Sequence, residues 1–193
     1  MFIYLLAIMG VAGIHTLYFD RPLSELYFSP DGPDVNSWLM WIGDGVEFGV
    51  ALGASVGLLV VWVSRVLTNK TDWGKTLNRD FSELFQGMSP IYLTGIAILS
   101  AFGEEILFRG WLQQHLGFVW TSLLFGALHL PMKPSHWPWT ISAVIMGFVL
   151  GWLYACRGSI TAPLIAHFTI NYFNLHALAR GDSHSHTGIP REP

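Results

Sequence analysis

The sequence predicts an all-α protein, a polytopic membrane bundle of about six transmembrane segments. Two observations carry this prediction. First, 52% of the 193 residues are hydrophobic and only 12% are charged, whereas soluble domains average about 25% charged residues. Second, apolar runs recur along the chain with lengths near the roughly 20 residues that cross the hydrocarbon core as a helix. The net charge is −3, and no basic patch indicates a nucleic-acid partner.

Six apolar segments account for most of the chain. The first lacks the basic region of a cleaved signal peptide, so we expect it to remain as a span. The second is interrupted by Asp44 and Glu47. The fourth, at about 14 residues, is too short for a straight span; we expect it to end at mid-depth, with Pro131–Pro134 filling a cavity. The segments lie near residues 2–19, 39–66, 90–116, 117–131, 137–156 and 159–179.

The stretch between the second and third segments has a different pattern. Residues 76–87 mix apolar and polar side chains in the manner of an amphipathic helix on the membrane surface; the apolar positions are Leu77, Phe81, Leu84 and Phe85. The polar end of the sequence is expected to be frayed. We therefore expect the chain to have three parts. These are N-terminal spans with the surface helix (1–88), a core of four segments (89–180) and a polar tail (181–193).

The basic residues predict the orientation in the membrane. Loops rich in Lys and Arg face the cytoplasm, and the loop between the second and third segments carries Arg65, Lys70, Lys75 and Arg79. If this loop is cytoplasmic, Lys133, Arg180 and Arg191 fall on the same side. Both termini are then cytoplasmic.

Two adjacent glutamates stand within the third apolar segment. An ionisable group at such depth is costly unless it is paired or faces a wet cavity, so it is a functional candidate by default. Glu105 and Arg109 are four residues apart with the acid first, the better order for a helical ion pair. Glu104 is rotated by about 100° from Glu105, so it is left to face a cavity and can accept a proton from water. Alternatively, Glu104, Glu105 and Arg109 form one structural ion cluster. The spacing alone does not decide between unequal roles for the two glutamates and such a cluster.

Polar side chains also occur in two other apolar segments. His129 lies near a segment end, where a histidine is often a packing residue. His167 and Asn171 are four apart and share a helix face. Such a pair can form interhelical hydrogen bonds worth about 1 kcal/mol each, or it can supply two donors to a developing oxyanion. In the fifth segment, Gly147 and Gly151 predict close approach of another helix.

Four motifs, taken in order, resemble those of the CPBP family of intramembrane proteases, the type II CAAX prenyl-endopeptidase-like group. The family pattern is EExxxR, then FxxxH, then a glycine-bearing helix, then HxxxN. Each motif stands in its own apolar segment, and the likeness covers residues 101–173. The four motifs are Glu104–Arg109, Phe125–His129, Met146–Tyr154 and His167–Asn171.

The resemblance implies a glutamic-type peptidase that needs no cofactor. Glu104, assisted by His129, would activate a water for attack on the scissile carbonyl. His167 and Asn171 would stabilise the oxyanion, and Glu105 with Arg109 would support the site. The implied substrate is a membrane-anchored protein or peptide in the lipid bilayer. The implied location is a bacterial or archaeal cell membrane.

Two other classes of function stay open from the sequence. A zinc protease could use Glu104, His129 and His167, a His₂Glu set found in some catalytic zinc sites, although no HExxH motif is present. A non-catalytic scaffold or transporter could use the same charges to hold its fold or to relay protons.

Overall fold

The structure, a computed structural model, describes residues 46–131 and 133–180. Within these ranges the chain forms helices and turns and no strand. The α-helices are α1 (Glu47–Lys70), α2 (Asp72–Phe85), α3 (Pro90–Glu105), α4 (Gln113–Ala127), α5 (Trp137–Arg157) and α6 (Thr161–Arg180). A π-helical segment, Ile106–Leu112, joins α3 to α4, and a 3₁₀ turn, Pro134–His136, precedes α5.

The predicted segments agree with the helices wherever both are described. The fifth and sixth segments correspond to α5 and α6, and the predicted surface helix corresponds to α2, which begins four residues earlier. The boundary placed between residues 116 and 117 falls at Gly117, whose backbone (φ 77°, ψ 169°) interrupts α4. The first segment, the start of the second and the polar tail lie outside the described residues, so the count of six segments stays a prediction.

Three described stretches are apolar and long enough to cross a membrane: Glu47–Lys70, Pro90–Ala127 and Pro134–Cys156. The all-helical membrane bundle predicted from composition is therefore confirmed for the described part of the chain. Helix α6 is not among these stretches, although the sequence predicted a span there. Its four histidine and asparagine side chains (His167, Asn171, Asn174 and His176) lower its hydropathy.

Glycines allow the close contact between α1 and α6. A Cβ atom at Gly53 would lie 2.4 Å from the carbonyl oxygen of Ala162, and one at Gly57 would lie 2.9 Å from that of Ala166. Real Cβ atoms do not approach so closely, so these positions accept only glycine without movement of a backbone. Small residues at this spacing let two membrane helices pack backbone to backbone.

The second close contact joins α4 to α5. A Cβ atom at Gly147 would lie 2.5 Å from the carbonyl oxygen of Ser122, and one at Gly126 would lie 2.8 Å from the Cα of Val144. The close approach predicted for the glycine face of the fifth segment is thus confirmed. It brings the backbone of α5 within reach of side chains from the π-helical segment.

Candidate active site

The Glu105–Arg109 ion pair forms at the start of the π-helical segment. Both side chains are fully buried. Arg109 Nη1 donates to Glu105 Oε1 at 3.4 Å, and Arg109 Nε lies 3.4 Å from Glu105 Oε2. The pair that the four-residue spacing predicts is therefore present. Single-turn π-helical insertions are rare and frequent at functional sites, and this one carries the arginine.

Arg109 also connects this segment to α5. Its Nη2 donates to the backbone carbonyl of Gly147 at 3.0 Å, and that oxygen also accepts a hydrogen bond from Ser122 Oγ at 3.0 Å. The guanidinium carbon lies 4.8 Å from the ring centroid of Phe125, within the range of a cation–π contact. Arg109 is thus held by a carboxylate, a carbonyl and an aromatic face, as a buried charge requires.

His167, on α6, lies between the two glutamates. Its Nδ1 is 2.7 Å from Glu105 Oε1, while its Nε2 is 3.8 Å from Glu104 Oε2. We assign the Nδ1 proton from this geometry, because a carboxylate paired with arginine can only accept. Glu105 therefore orients the imidazole, and Nε2 is the atom presented to Glu104.

Glu104 differs from Glu105 at the other carboxylate oxygen, because Glu105 Oε1 meets both Arg109 Nη1 and His167 Nδ1. The Oε2 atoms of both glutamates are buried and have no hydrogen-bond partner among the described residues. The 3.8 Å to His167 Nε2 is too long for a direct hydrogen bond. A single oxygen atom can bridge two polar atoms at this separation. Glu104 thus has the bonding capacity that a water or a substrate oxygen would use.

His129 lies in the turn that follows α4. Its Nδ1 is 2.7 Å from the carbonyl of Phe125, which accepts the proton and leaves Nε2 as the acceptor of the neutral ring. The imidazole packs on the Phe125 ring, with centroids 4.9 Å apart. The Phe125 ring in turn meets that of His167, with centroids 6.0 Å apart. Phe125 therefore contacts both histidines of the predicted site.

Asn171 bonds across the helix interface. Its Nδ2 donates to Ser100 Oγ on α3 at 2.9 Å. Ser100 stands one helical turn before Glu104, so this bond aligns α6 with the helix that carries the glutamates. An amide nitrogen has two N–H donors, and the bond to Ser100 uses one of them.

The six predicted site residues thus fall into two groups. Glu104, Glu105, Arg109 and His167 lie in direct contact, whereas His129 is joined to them through Phe125 and Asn171 through Ser100. In the described residues, no three histidine, cysteine, aspartate or glutamate side chains form a group that could hold a metal ion. Glu104, His129 and His167, considered above as zinc ligands, do not form such a group.

Sequence reasoning missed Ser100, and it placed Phe125 in the FxxxH motif without giving it a role. Ser100 carries a usable signal, because it lies four residues before Glu104 on the same helix face. The role of Phe125 as the ring between two histidines and an arginine has no local signal, since two of its three partners come from other elements.

Comparisons with known proteins find a family model similar to the segment that carries this site. Residues 86–173 match the family model described as type II CAAX prenyl endopeptidase Rce1-like. The chain is similar to the uncharacterized protein YpbD of Bacillus subtilis (strain 168), at 38% identity over 89 residues, which are 46% of this chain and 47% of that protein. It thus spans about half the length of that relative.

A second relative is the UPF0177 protein YxdF of Lactococcus lactis subsp. lactis (strain IL1403). It is 27% identical over 150 residues, which are 73% of this chain and 76% of that protein. No solved structure matches the chain. The matched segment 86–173 contains every residue of the site described above. That segment is therefore similar to the Rce1-like family of type II CAAX prenyl endopeptidases.

Proposed function

We propose that this protein is an intramembrane endopeptidase that hydrolyses a peptide bond of a membrane-anchored protein with a water activated by glutamate and histidine. The observation that carries the proposal is the environment of Glu104. Its Oε2 is buried without a hydrogen-bond partner among the described residues and faces an imidazole nitrogen that another glutamate orients. The match of residues 86–173 to the endopeptidase family model supports a membrane protease, and the glutamic mechanism is our inference from the residues.

In the proposed reaction, Glu104 takes a proton from a water as the water oxygen attacks the scissile carbonyl. His129 assists Glu104 as a second acid–base group. The C–N bond then breaks, and the proton held by Glu104 passes to the leaving amine. A positioned acid–base group of this kind typically contributes about 10²–10⁴-fold to the rate.

The oxyanion would be stabilised by Nε2–H of a doubly protonated His167 and by the second N–H of Asn171. Donors fixed in place before the reaction stabilise a developing charge without reorganisation. The Glu105–His167 and Asn171–Ser100 hydrogen bonds provide this fixation. Glu105 and Arg109 are supporting residues in this scheme, because they hold the imidazole and join α5 to the site.

A non-catalytic membrane scaffold is the second candidate, and one observation favours it. The Asn171–Ser100 bond is the interhelical hydrogen bond that a purely structural role predicts. In that case all the buried charges would serve the packing of the helices, and Glu104 would be dispensable for any processing event.

The membrane proteome separates the two candidates. A deletion strain is complemented with wild type, with Glu104→Gln or with His176→Ala, and the termini of membrane proteins are compared by mass spectrometry. His176 is the matched control: it is on α6 and its Nδ1 contacts the Tyr172 carbonyl. We expect the same unprocessed termini in the deletion and Glu104→Gln strains and normal termini with His176→Ala. Termini processed normally by Glu104→Gln would leave the scaffold as the better account.

A further inference from the structure

Helix α2 contacts the turn that carries His129 through an ionic cluster. Asp80 Oδ2 lies 3.0 Å from Lys133 Nζ and 3.0 Å from His136 Nε2. Both partners belong to the short stretch between α4 and α5, directly after His129. His136 is buried, at 1% exposure. Hydrogen bonds from His136 and Lys133 lower the pKa of Asp80 from 3.8 to about 2, so the carboxylate is ionised at any physiological pH.

Contacts between aromatic rings also join α2 to the start of α5 and to His129. The ring of Phe81 lies 5.4 Å from that of His136 and 5.3 Å from that of Trp139. Trp139 in turn packs edge-on against the imidazole of His129, with centroids 5.4 Å apart. Phe81 is one of the apolar positions of the predicted surface helix, and it is half-buried.

The next residue of α5 holds the backbone of His129. Thr140 Oγ1 donates to the His129 carbonyl at 2.5 Å. The ring of His129 and its backbone are therefore both held by the first turn of α5. Phe81 packs on Trp139 in that turn, and Asp80 contacts His136, the residue directly before it. A helix that only lay on the membrane surface would not need these contacts with the residues that hold His129.

Hydrogen bonds at the corner between α1 and α2 fix the direction in which α2 leaves α1. Thr71 Oγ1 accepts from the backbone N–H of Gly74 at 3.1 Å and donates to the Leu67 carbonyl at 2.7 Å, so the corner between α1 and α2 is closed. A Cβ at Gly74 would lie 2.6 Å from the same carbonyl. The corner thus directs Asp80 and Phe81 toward the start of α5.

We propose that α2 sets the position of His129 and that Asp80 is a positioning residue for the reaction. The inference rests on the proposed function, in which His129 assists Glu104. Asp80 does not touch the reacting atoms. It acts through His136 and Lys133, which fix the turn after α4 and the first turn of α5, and these in turn fix the imidazole.

The test compares Asp80→Ala with Asp72→Ala in the full-length protein reconstituted in liposomes. Asp72 is the matched control, because it lies on the same helix, is fully exposed and contacts Lys75 one turn away at 3.7 Å. Two quantities are measured: kcat and KM on a membrane-anchored reporter peptide, and the rate at which diethyl pyrocarbonate modifies His129, read by mass spectrometry. His176 serves as the internal reference for the modification.

We expect Asp80→Ala to lower kcat by about 10–100-fold at unchanged KM, since a misplacement of about 1 Å can cost that much. The modification rate of His129 should rise several-fold, because its ring loses the shielding of Trp139. For Asp80→Asn, kcat and the modification rate of His129 should lie between those of wild type and Asp80→Ala, since the amide oxygen still accepts one hydrogen bond. Asp72→Ala should match wild type in both measurements.

Wild-type kcat in folded Asp80→Ala, a change confined to KM, or a wild-type modification rate of His129 would each overturn the proposal. If Asp80→Ala does not fold, Phe81→Leu is judged by the same readouts. A failure of the proposed function looks different: wild type would not cleave any membrane-anchored substrate, or His129→Ala would cleave as fast as wild type. The modification rate then still decides whether Asp80 positions His129.

Discussion

Glu104 and Glu105 are adjacent in the sequence, yet they belong to two sides of the site that differ in burial and bonding. On the arginine side, formed by Glu105, Arg109 and Gly147, both charged residues are fully buried and paired with each other. The open side is Glu104 with the two residues proposed to act with it, His129 and Asn171, and here the Glu104 side chain is 15% exposed. Glu105 Oε1 meets Arg109 and His167, whereas the buried Oε2 of Glu104 has no hydrogen-bond partner among the described residues.

This difference shows how two adjacent residues of one helix can have a structural role and a chemical role. Removing one member of a buried ion pair is costly, because it leaves the other charge without its partner, so the arginine side holds three elements in place. A carboxylate oxygen that keeps free bonding capacity can accept a proton, so the open side is suited to react. The rotation of about 100° per residue along an α-helix is sufficient to separate the two roles.

The largest expected effect on stability lies on the arginine side. Glu105→Gln leaves Arg109 buried beside a neutral amide, and loss of one partner of a buried pair typically costs about 3–5 kcal/mol. Glu104→Gln is the matched control and should melt close to wild type. The measurement is the Tm of both variants in one detergent. Equal losses in the two variants would show that both glutamates belong to one structural cluster.

On the open side, Asn171→Ala tests whether Asn171 is an oxyanion donor or only a helix-packing residue. Loss of one oxyanion donor typically lowers turnover by about 10²–10³-fold, and binding of an uncleavable substrate mimic should be unaffected. Ser100→Ala is the control, because it removes the same interhelical hydrogen bond and leaves the asparagine. It should cost about 1 kcal/mol of stability and lower turnover less than Asn171→Ala does, because it loosens the amide donor without removing it. If Ser100→Ala and Asn171→Ala lose the same activity, Asn171 serves only helix packing.

A smaller effect is expected at the Asp80 cluster when the pH is lowered. The pKa of Asp80 falls from 3.8 to about 2 through hydrogen bonds from His136 and Lys133. A lowered pKa in the folded state contributes stability that is present above pH 3.8 and lost as the pH falls through about 2. The Tm difference between wild type and Asp80→Asn should follow this window. A difference that vanishes above pH 3.8 would contradict the contact.

No change is expected when metal ions are removed. The proposed water activation uses Glu104 and His129 directly, so protein treated with a strong chelator should keep its turnover. The check is the rate before and after chelation, with zinc added back at the end. Loss of activity that zinc restores would favour the zinc protease.

Local sequence patterns predicted the parts of the site that lie within one helix. The Glu105–Arg109 pair follows from a spacing of four residues, and the break at Gly117 follows from the length of the apolar runs. The contact of His167 with both glutamates joins positions 62 and 63 residues apart. It depends on how α6 packs against α3, which periodicity within either helix does not encode.

Two further features needed the tertiary structure. The π-helical segment Ile106–Leu112 reads as ordinary helix in the sequence, because its residues are equally compatible with both geometries. Phe81 is an apolar position of the surface helix by its spacing, and its ring contacts with His136 and Trp139 depend on how the start of α5 packs beside α2. The glycines at positions 49, 53 and 57 do carry the small-residue spacing, and they mark the contact with α6.

The most direct test of the unequal glutamates is the turnover per folded molecule of Glu104→Gln and Glu105→Gln, measured side by side on a membrane-anchored reporter. The folded fraction of each preparation is taken from its melting curve. Our account predicts that Glu104→Gln loses about 10²–10⁴-fold while fully folded, and that Glu105→Gln keeps the larger share of its activity per folded molecule. An active Glu104→Gln beside a stable, inactive Glu105→Gln would contradict it.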